Sequence, residues 1–184
     1  DFFCDKGETK KINFLSGKYS IENNQLSKTL STLLNTNIVE DSDEWYIEIM
    51  FQIISHQIGI KNIINKLNVN NYSTKIELYK KIKIAESYII DNYREQITLD
   101  DLSSESCISK FHLIRIFKQL YGYTPYNFLL QIRLKNAYDK LLKHDDISIE
   151  EIALTSGFNQ RRTFTKSFKK QFGFCPTQFN GKID

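Results

Sequence analysis

The chain has 184 residues, 41% hydrophobic and 26% charged, the make-up of an ordinary soluble protein with room for one large or two small domains. Its 2 Pro and 7 Gly suit an α-rich fold, and its 3 cysteines, Cys4, Cys107 and Cys175, exclude a disulfide framework, form no C-x-x-C pair and point to a reducing cytosol. The formal net charge of +3 is unevenly spread: residues 1–74 hold 7 Lys/Arg against 9 Asp/Glu, a balance of −2, and residues 75–184 hold 18 against 13, a balance of +5.

No apolar run is long enough to cross a bilayer, and no basic segment followed by an apolar one opens the chain. The first residue is Asp1 rather than Met, which suggests a fragment. Around Gly17, two short alternating runs, KINFL and YSI, allow brief strands. From Asn24 the spacing becomes helical, first through Leu26, Leu30, Leu33 and Leu34. After an acidic break at residues 40–44 it continues through Trp45, Ile49, Met50, Ile53 and Ile54 toward Leu67. This second stripe reads as a core face, the wall of a ligand pocket or the seam of a helical homodimer.

Residues 68–74, NVNNYST, are polar and turn-prone and read as a linker. The organisation expected is a partial regulatory or dimerisation segment over 1–67, a linker over 68–74 and a compact domain over 75–184. That last domain opens with a helix from Lys75 to about Tyr93, set by Tyr79, Ile82, Ala85, Ile89 and Tyr93.

An internal repeat follows, offset by about 50 residues. ITLDDL at 97–102 matches ISIEEI at 147–152, and FKQLYGYTP at 117–125 matches FKKQFGFCP at 168–176. Each copy opens on a capping-box pattern, Thr98 with Asp101 and Ser148 with Glu151. Each then turns, at 106–108 and 156–158, and starts a second helix behind Ser109 or Asn159. Helix, tight turn, helix, twice over, is a tandem helix-turn-helix. Between the copies, Thr124 and Pro125 begin a long helix marked by Phe128, Leu129, Ile132, Ala137, Leu141 and Leu142 and reaching Lys143. At 1.5 Å per residue it is about 28 Å long, close to the roughly 34 Å of one DNA turn.

The second copy ends in GFNQRRTFTKSFKKQFGFCP, residues 157–176, with Arg161, Arg162, Lys166, Lys169 and Lys170 and no acidic residue. Phe164, Phe168 and Phe172 recur every four positions, so one helix face packs and the other is left basic.

Residues 79–180 resemble the DNA-binding domain of AraC/XylS-type transcriptional regulators. The resemblance is carried by Leu102, Ser109, Leu113, Phe117, Lys118, Gly122, Thr124, Pro125, Arg133, Leu134, Ala137, Leu141 and Leu142 in the first part. Ile149, Ile152, Ala153, Gly157, Phe158, Phe164, Phe168, Lys169, Gly173, Pro176 and Phe179 carry it in the second. Ser103 stands where that family usually has Ala, and Asn180 where an Arg often stands. The resemblance implies a mainly α fold: a seven-helix tandem helix-turn-helix domain joined by a long central helix, here preceded by a small helical, partly β, segment. It also implies two second helices entering successive major grooves of double-stranded promoter DNA, with RNA polymerase as a further partner and activation as the usual outcome. Relatives carry a larger N-terminal sensing region, so a small-molecule effector belongs to a region absent from this chain. The expected location is the cytoplasm, at the nucleoid, with no cofactor and no membrane.

On the first reading helix the resemblance puts Phe111, Ile114 and Arg115 at outward, base-reading positions, and on the second Arg161, Arg162, Thr165 and Lys166. The arginines can pair bidentately with guanine, and Phe111 and Ile114 can pack on thymine methyls. Ser109, Lys110, His112, Lys118, Asn159, Gln160, Lys169 and Lys170 suit phosphate contacts, which position without reading. In an isolated helix the same arginines would read as a solvated face; the tandem repeat argues for DNA.

Enzymatic motifs are missing: no phosphate-cradling Gly-rich loop, no G-x-S-x-G, no H-E-x-x-H, and His56, His112 and His144 lie far apart. The acidic pairs 100–101, 145–146 and 150–151 read as first-turn charges complementing helix dipoles. Two alternatives are a helical adaptor that binds protein partners and an alkylation-repair regulator with Cys4 as methyl acceptor, although Cys4 lacks neighbouring cysteines for a zinc-thiolate site.

Overall fold

The computed structural model describes residues 43–143 and 147–178. The expected strands near Gly17, the stripe at Leu26 to Leu34, Cys4, the pair 145–146 and Phe179 with Asn180 lie outside the described residues. Among those described there are seven α-helices and no strand: α1 Asp43–Asn65, α2 Tyr72–Asn92, α3 Leu99–Ser106, α4 Lys110–Tyr121, α5 Pro125–Lys143, α6 Ile149–Thr155 and α7 Arg161–Phe172, with a 3-10 turn at Pro176–Gln178.

The chain divides into two compact units, the first ending at Asn62 and the second beginning at Ile63. In the first, α1 presents Ile47, Met50, Phe51, Ile54 and Ile58 to solvent, at helical spacing along one side. Of the stripe expected from sequence, Met50 and Ile54 are exposed and Ile53 is half-buried.

The second unit takes in more of the chain than the polar run at 68–74 indicates. Leu67 is 2% exposed and packs with Ile63 in the same cluster as Ile82, Ala85 and Ile89 of α2. Helix α2 starts at Tyr72, three residues before the expected Lys75, because Asn71 caps it: its Oδ1 accepts from the Ser73 amide at 2.9 Å and the Thr74 amide at 3.4 Å. What connects α1 to α2 is therefore a short capped turn.

The repeat is plain in three dimensions. Thr98 and Asp101 form a complete capping box: the Asp101 amide donates to Thr98 Oγ1 at 3.2 Å and the Thr98 amide to Asp101 Oδ2 at 2.8 Å. Ser148 makes half of one, accepting from the Glu151 amide at 3.1 Å. Helices α4 and α7 are each 12 residues long and stop at a left-handed glycine, Gly122 and Gly173.

Two hydrophobic clusters result, one per copy. The first gathers Leu102, Ile108, Leu113, Ile116, Phe117, Leu120 and Leu129 with α2. The second gathers Leu134, Ala137, Leu141, Ile152, Ala153, Phe158, Phe164 and Phe168. Helix α5 supplies residues to both and is the strut between them. Its inward positions include Leu134, whereas Leu142, expected on the apolar stripe, is 45% exposed. A 100° advance per residue carries Leu142 off the face that buries Leu134, Ala137 and Leu141. Within the second cluster, Phe164, Phe168 and Phe172 pack in sequence, the first pair edge-to-face with centroids 5.4 Å apart and the second tilted with centroids 4.5 Å apart.

Candidate nucleic-acid interface

The two second helices share one design. In α4, Leu113, Ile116, Phe117 and Leu120 are buried; in α7, Phe164 and Phe168 are. The opposite faces are left to solvent. On α4 the exposed side chains are Lys110, Phe111, Arg115 and Lys118, and on α7 Arg161, Arg162, Thr163, Lys166, Lys169, Lys170 and Gln171. Phe111 is 89% exposed, as its outward position requires. Ile114 and Thr165 are half-buried at the edge of that face.

Equal length and matched glycine stops align the helices position by position. Phe111 corresponds to Arg162, Ile114 to Thr165, Arg115 to Lys166 and Lys118 to Lys169. The expected caps need one correction. Gln160, with extended backbone (φ −144°, ψ 132°), takes the cap position of α7 in place of Asn159. Neither Gln160 nor Ser109 makes a side-chain cap hydrogen bond. The first amides of both helices thus keep donor capacity for an anion. Arg162 therefore lies in the first turn of its helix and Arg115 in the second, so the two arginines are not equivalent.

The residues assigned to phosphate differ in their surroundings. Lys110 reaches back to α3, its Nζ 2.5 Å from Asp100 Oδ1, which ties the two helices of the first motif. His112 is half-buried; burial first, and the neighbouring Arg115 charge second, hold its pKa below the usual histidine range. Lys118, Lys169 and Lys170 are exposed, the two last in the final turn of α7. Asn159 and Gln160 are exposed and line, with Thr163, Tyr126, Leu129, Leu130, Arg133 and Phe158, a cavity of about 320 Å³ between α5 and the start of α7. Nothing in the sequence points to Tyr126 or Thr163 beyond their lying one turn from Leu129 and Lys166.

The turns differ in one telling respect. Gly157 carries φ +89°, while its counterpart in the first motif, Cys107, is the one non-glycine residue among those described with positive φ, 51°. Just ahead of each turn residue lies a fully buried serine, Ser106 or Ser156. Among the described residues no group of His, Cys, Asp and Glu could hold a metal ion, and no helix is long and apolar enough to cross a membrane.

Comparison with known proteins agrees with this geometry. Residues 102–182 match the family model described as a helix-turn-helix domain. The chain is 42% identical over 85 residues to the probable transcription factor PqrA of Proteus vulgaris, covering 46% of this chain and 69% of that protein. It is 28% identical over 109 residues to the lactose operon transcription activator of Staphylococcus xylosus, spanning 59% of this chain but only 39% of that one. Among solved structures, a Chromobacterium violaceum transcriptional regulator with an AraC-type DNA-binding domain superposes with a TM-score of 0.51 at 29% identity, over 55% of this chain and 89% of that one. Repeat, fold and relatives coincide: the chain belongs to the AraC/XylS-type family of DNA-binding transcription regulators, and not to an enzyme family.

Proposed function

We propose that this protein reads promoter DNA with two recognition helices, α4 and α7, placed in successive major grooves on one side of the duplex. The observation that carries the reading is the matched pair of faces: two helices of equal length, buried on one side, exposed and basic on the other. Phe111, Ile114 and Arg115 read one groove; Arg161, Arg162, Thr165 and Lys166 read the next. Ser109, Lys110, His112, Lys118, Asn159, Gln160, Lys169 and Lys170 hold the phosphates, with Lys110 exchanging part of its contact with Asp100 for DNA.

The regulatory outcome proposed is activation through RNA polymerase in the cytoplasm, which the name of the Staphylococcus xylosus relative supports. Residues up to 62 act as a regulatory or dimerisation segment, and the DNA-binding domain begins at Ile63, taking in Leu67 and the Asn71-capped start of α2. A homodimer through α1 is supported by its row of exposed apolar side chains, Ile47, Met50, Phe51, Ile54 and Ile58. A small-molecule effector, sensed by an N-terminal region, is proposed as a further partner.

The test is selection of bound sequences from a random duplex library at and above physiological salt. A sequence-selective reader enriches one site and keeps it as salt rises; a protein-binding adaptor with a basic surface enriches none and loses DNA steeply.

A further inference from the structure

The end of α2, the middle of α5 and the turn between α6 and α7 meet at one point. Arg133 on α5 donates from Nε to the Tyr93 carbonyl at 2.7 Å and from Nη2 to the Glu95 carbonyl at 2.6 Å. Both carbonyls lie just past Asn92, the last residue of α2, where intrahelical partners run out. Gly157, in the turn of the second motif, lies against the same group. A Cβ there would stand 2.6 Å from the Tyr93 carbonyl oxygen, 2.8 Å from Arg133 Nε and 3.0 Å from Arg94 Cα. Two backbone atoms and a hydrogen-bonded guanidinium thus close on a residue that can only be glycine, for space as well as for its φ of +89°.

Two further ties run along the same stripe of α5. Tyr93 Oη donates to Asn136 Oδ1 at 3.1 Å, and Lys140 Nζ donates to the Thr155 carbonyl at 2.8 Å and to its Oγ1 at 2.7 Å. Arg133, Asn136 and Lys140 follow one another at spacings of three and four, one face of one helix. That face holds the end of α2, which leads into the first motif, and the end of α6, the first helix of the second. The two hydrophobic clusters are separate and share only the strut α5. A strut fixes a separation and leaves rotation about its axis to other contacts.

We propose that Arg133 and Gly157 are positioning residues: their junction with Tyr93 fixes the angle between α4 and α7, and so sets the spacing of the two half-sites the protein accepts on DNA. The second half of this statement rests on the two-groove reading above; the first does not.

The test uses the full chain with Cys4→Ser, spin-labelled at its own Cys107, exposed in the first turn, and Cys175, half-exposed beyond α7. The unvaried junction gives one narrow distance distribution. Arg133→Gln and Gly157→Ala broaden or shift it, and Arg133→Lys, which keeps a cationic donor, largely restores it. On DNA, one base pair inserted between the selected half-sites turns them by about 35°. That insertion weakens the parent protein by about tenfold or more and Arg133→Gln by less than about threefold, because a loosened junction adapts. A folded Arg133→Gln with the parent's narrow distribution overturns the proposal, as does an unchanged spacing penalty. If the parent selects only a single half-site, the two-groove reading fails while the distance measurement still decides the junction. If Gly157→Ala does not fold, Arg133→Gln decides alone.

Discussion

Phe111 and Arg162 occupy the same position of two matched helices, the second of twelve residues in each, and both side chains are exposed. One motif therefore presents an aromatic ring, and the other a guanidinium, at the matched exposed position. The two units are built alike and chemically unlike.

Replacing Arg162 by Ala is expected to cost about 1–3 kcal/mol on the best site and to relax base preference at one position, with guanine the base lost. Phe111→Ala should relax preference for thymine instead, and exchanging that thymine for uracil should reproduce the loss without any mutation. Lys169→Ala, at the far end of α7, should weaken all sequences alike and lower the salt slope by about one ion. Binding titrations on selected and scrambled duplexes at several salt concentrations measure all three. Equal loss on specific and nonspecific DNA would make Arg162 a backbone contact.

Cys107 holds a left-handed conformation that costs an ordinary residue about 1–2 kcal/mol, and its side chain is exposed, so little packing is lost on removing it. Cys107→Gly is expected to stabilise the domain by about 1 kcal/mol after the extra backbone entropy of glycine is subtracted. Urea unfolding followed by circular dichroism should show the midpoint rise with an unchanged slope.

A fragment of residues 63–184 should be more stable than one of residues 75–184. The shorter piece lacks Leu67, whose burial is worth about 1.5–3 kcal/mol, and the Asn71 cap of α2. Thermal melts of the two fragments decide it; equal midpoints would mean that the Leu67 contact does not contribute.

Most of the tandem repeat is legible in sequence because local signals agree with one another. Thr98 with Asp101, Thr124 with Pro125, and the four-residue spacing of Phe164, Phe168 and Phe172 each mark an element that folds where its own residues direct. What is illegible depends on partners far along the chain. NVNNYST reads as a linker from composition, yet Asn71 is a cap and Leu67 just before it is drawn into a core built by α2. Arg133 carries family resemblance, but nothing nearby in sequence announces that it bonds the carbonyls of Tyr93 and Glu95. Asn159 has the better capping side chain, yet α7 begins one residue later, behind Gln160.

His112 provides a pH test. Its folded pKa is depressed by burial and by Arg115, so folding disfavours protonation. The unfolded chain then binds the proton more readily, and stability falls as pH drops below the ordinary histidine value near 6.5. A phosphate beside the ring acts in the opposite sense, raising the pKa in the complex. If His112 holds a phosphate, DNA affinity should rise between pH 7.5 and pH 5.5 with uptake of up to about one proton, and His112→Gln should remove that dependence. A pH-independent affinity in the parent protein would mean that the ring only packs.

Whether one chain reads two successive major grooves is decided by methylation interference with the full chain on its selected site. Methyl groups on guanine N7 in the major groove should block binding in two clusters about 10–11 base pairs apart, one lost with Arg162→Ala and the other with Arg115→Ala. A single cluster, or two clusters that both respond to the same substitution, would mean that the two helices do not read separate grooves.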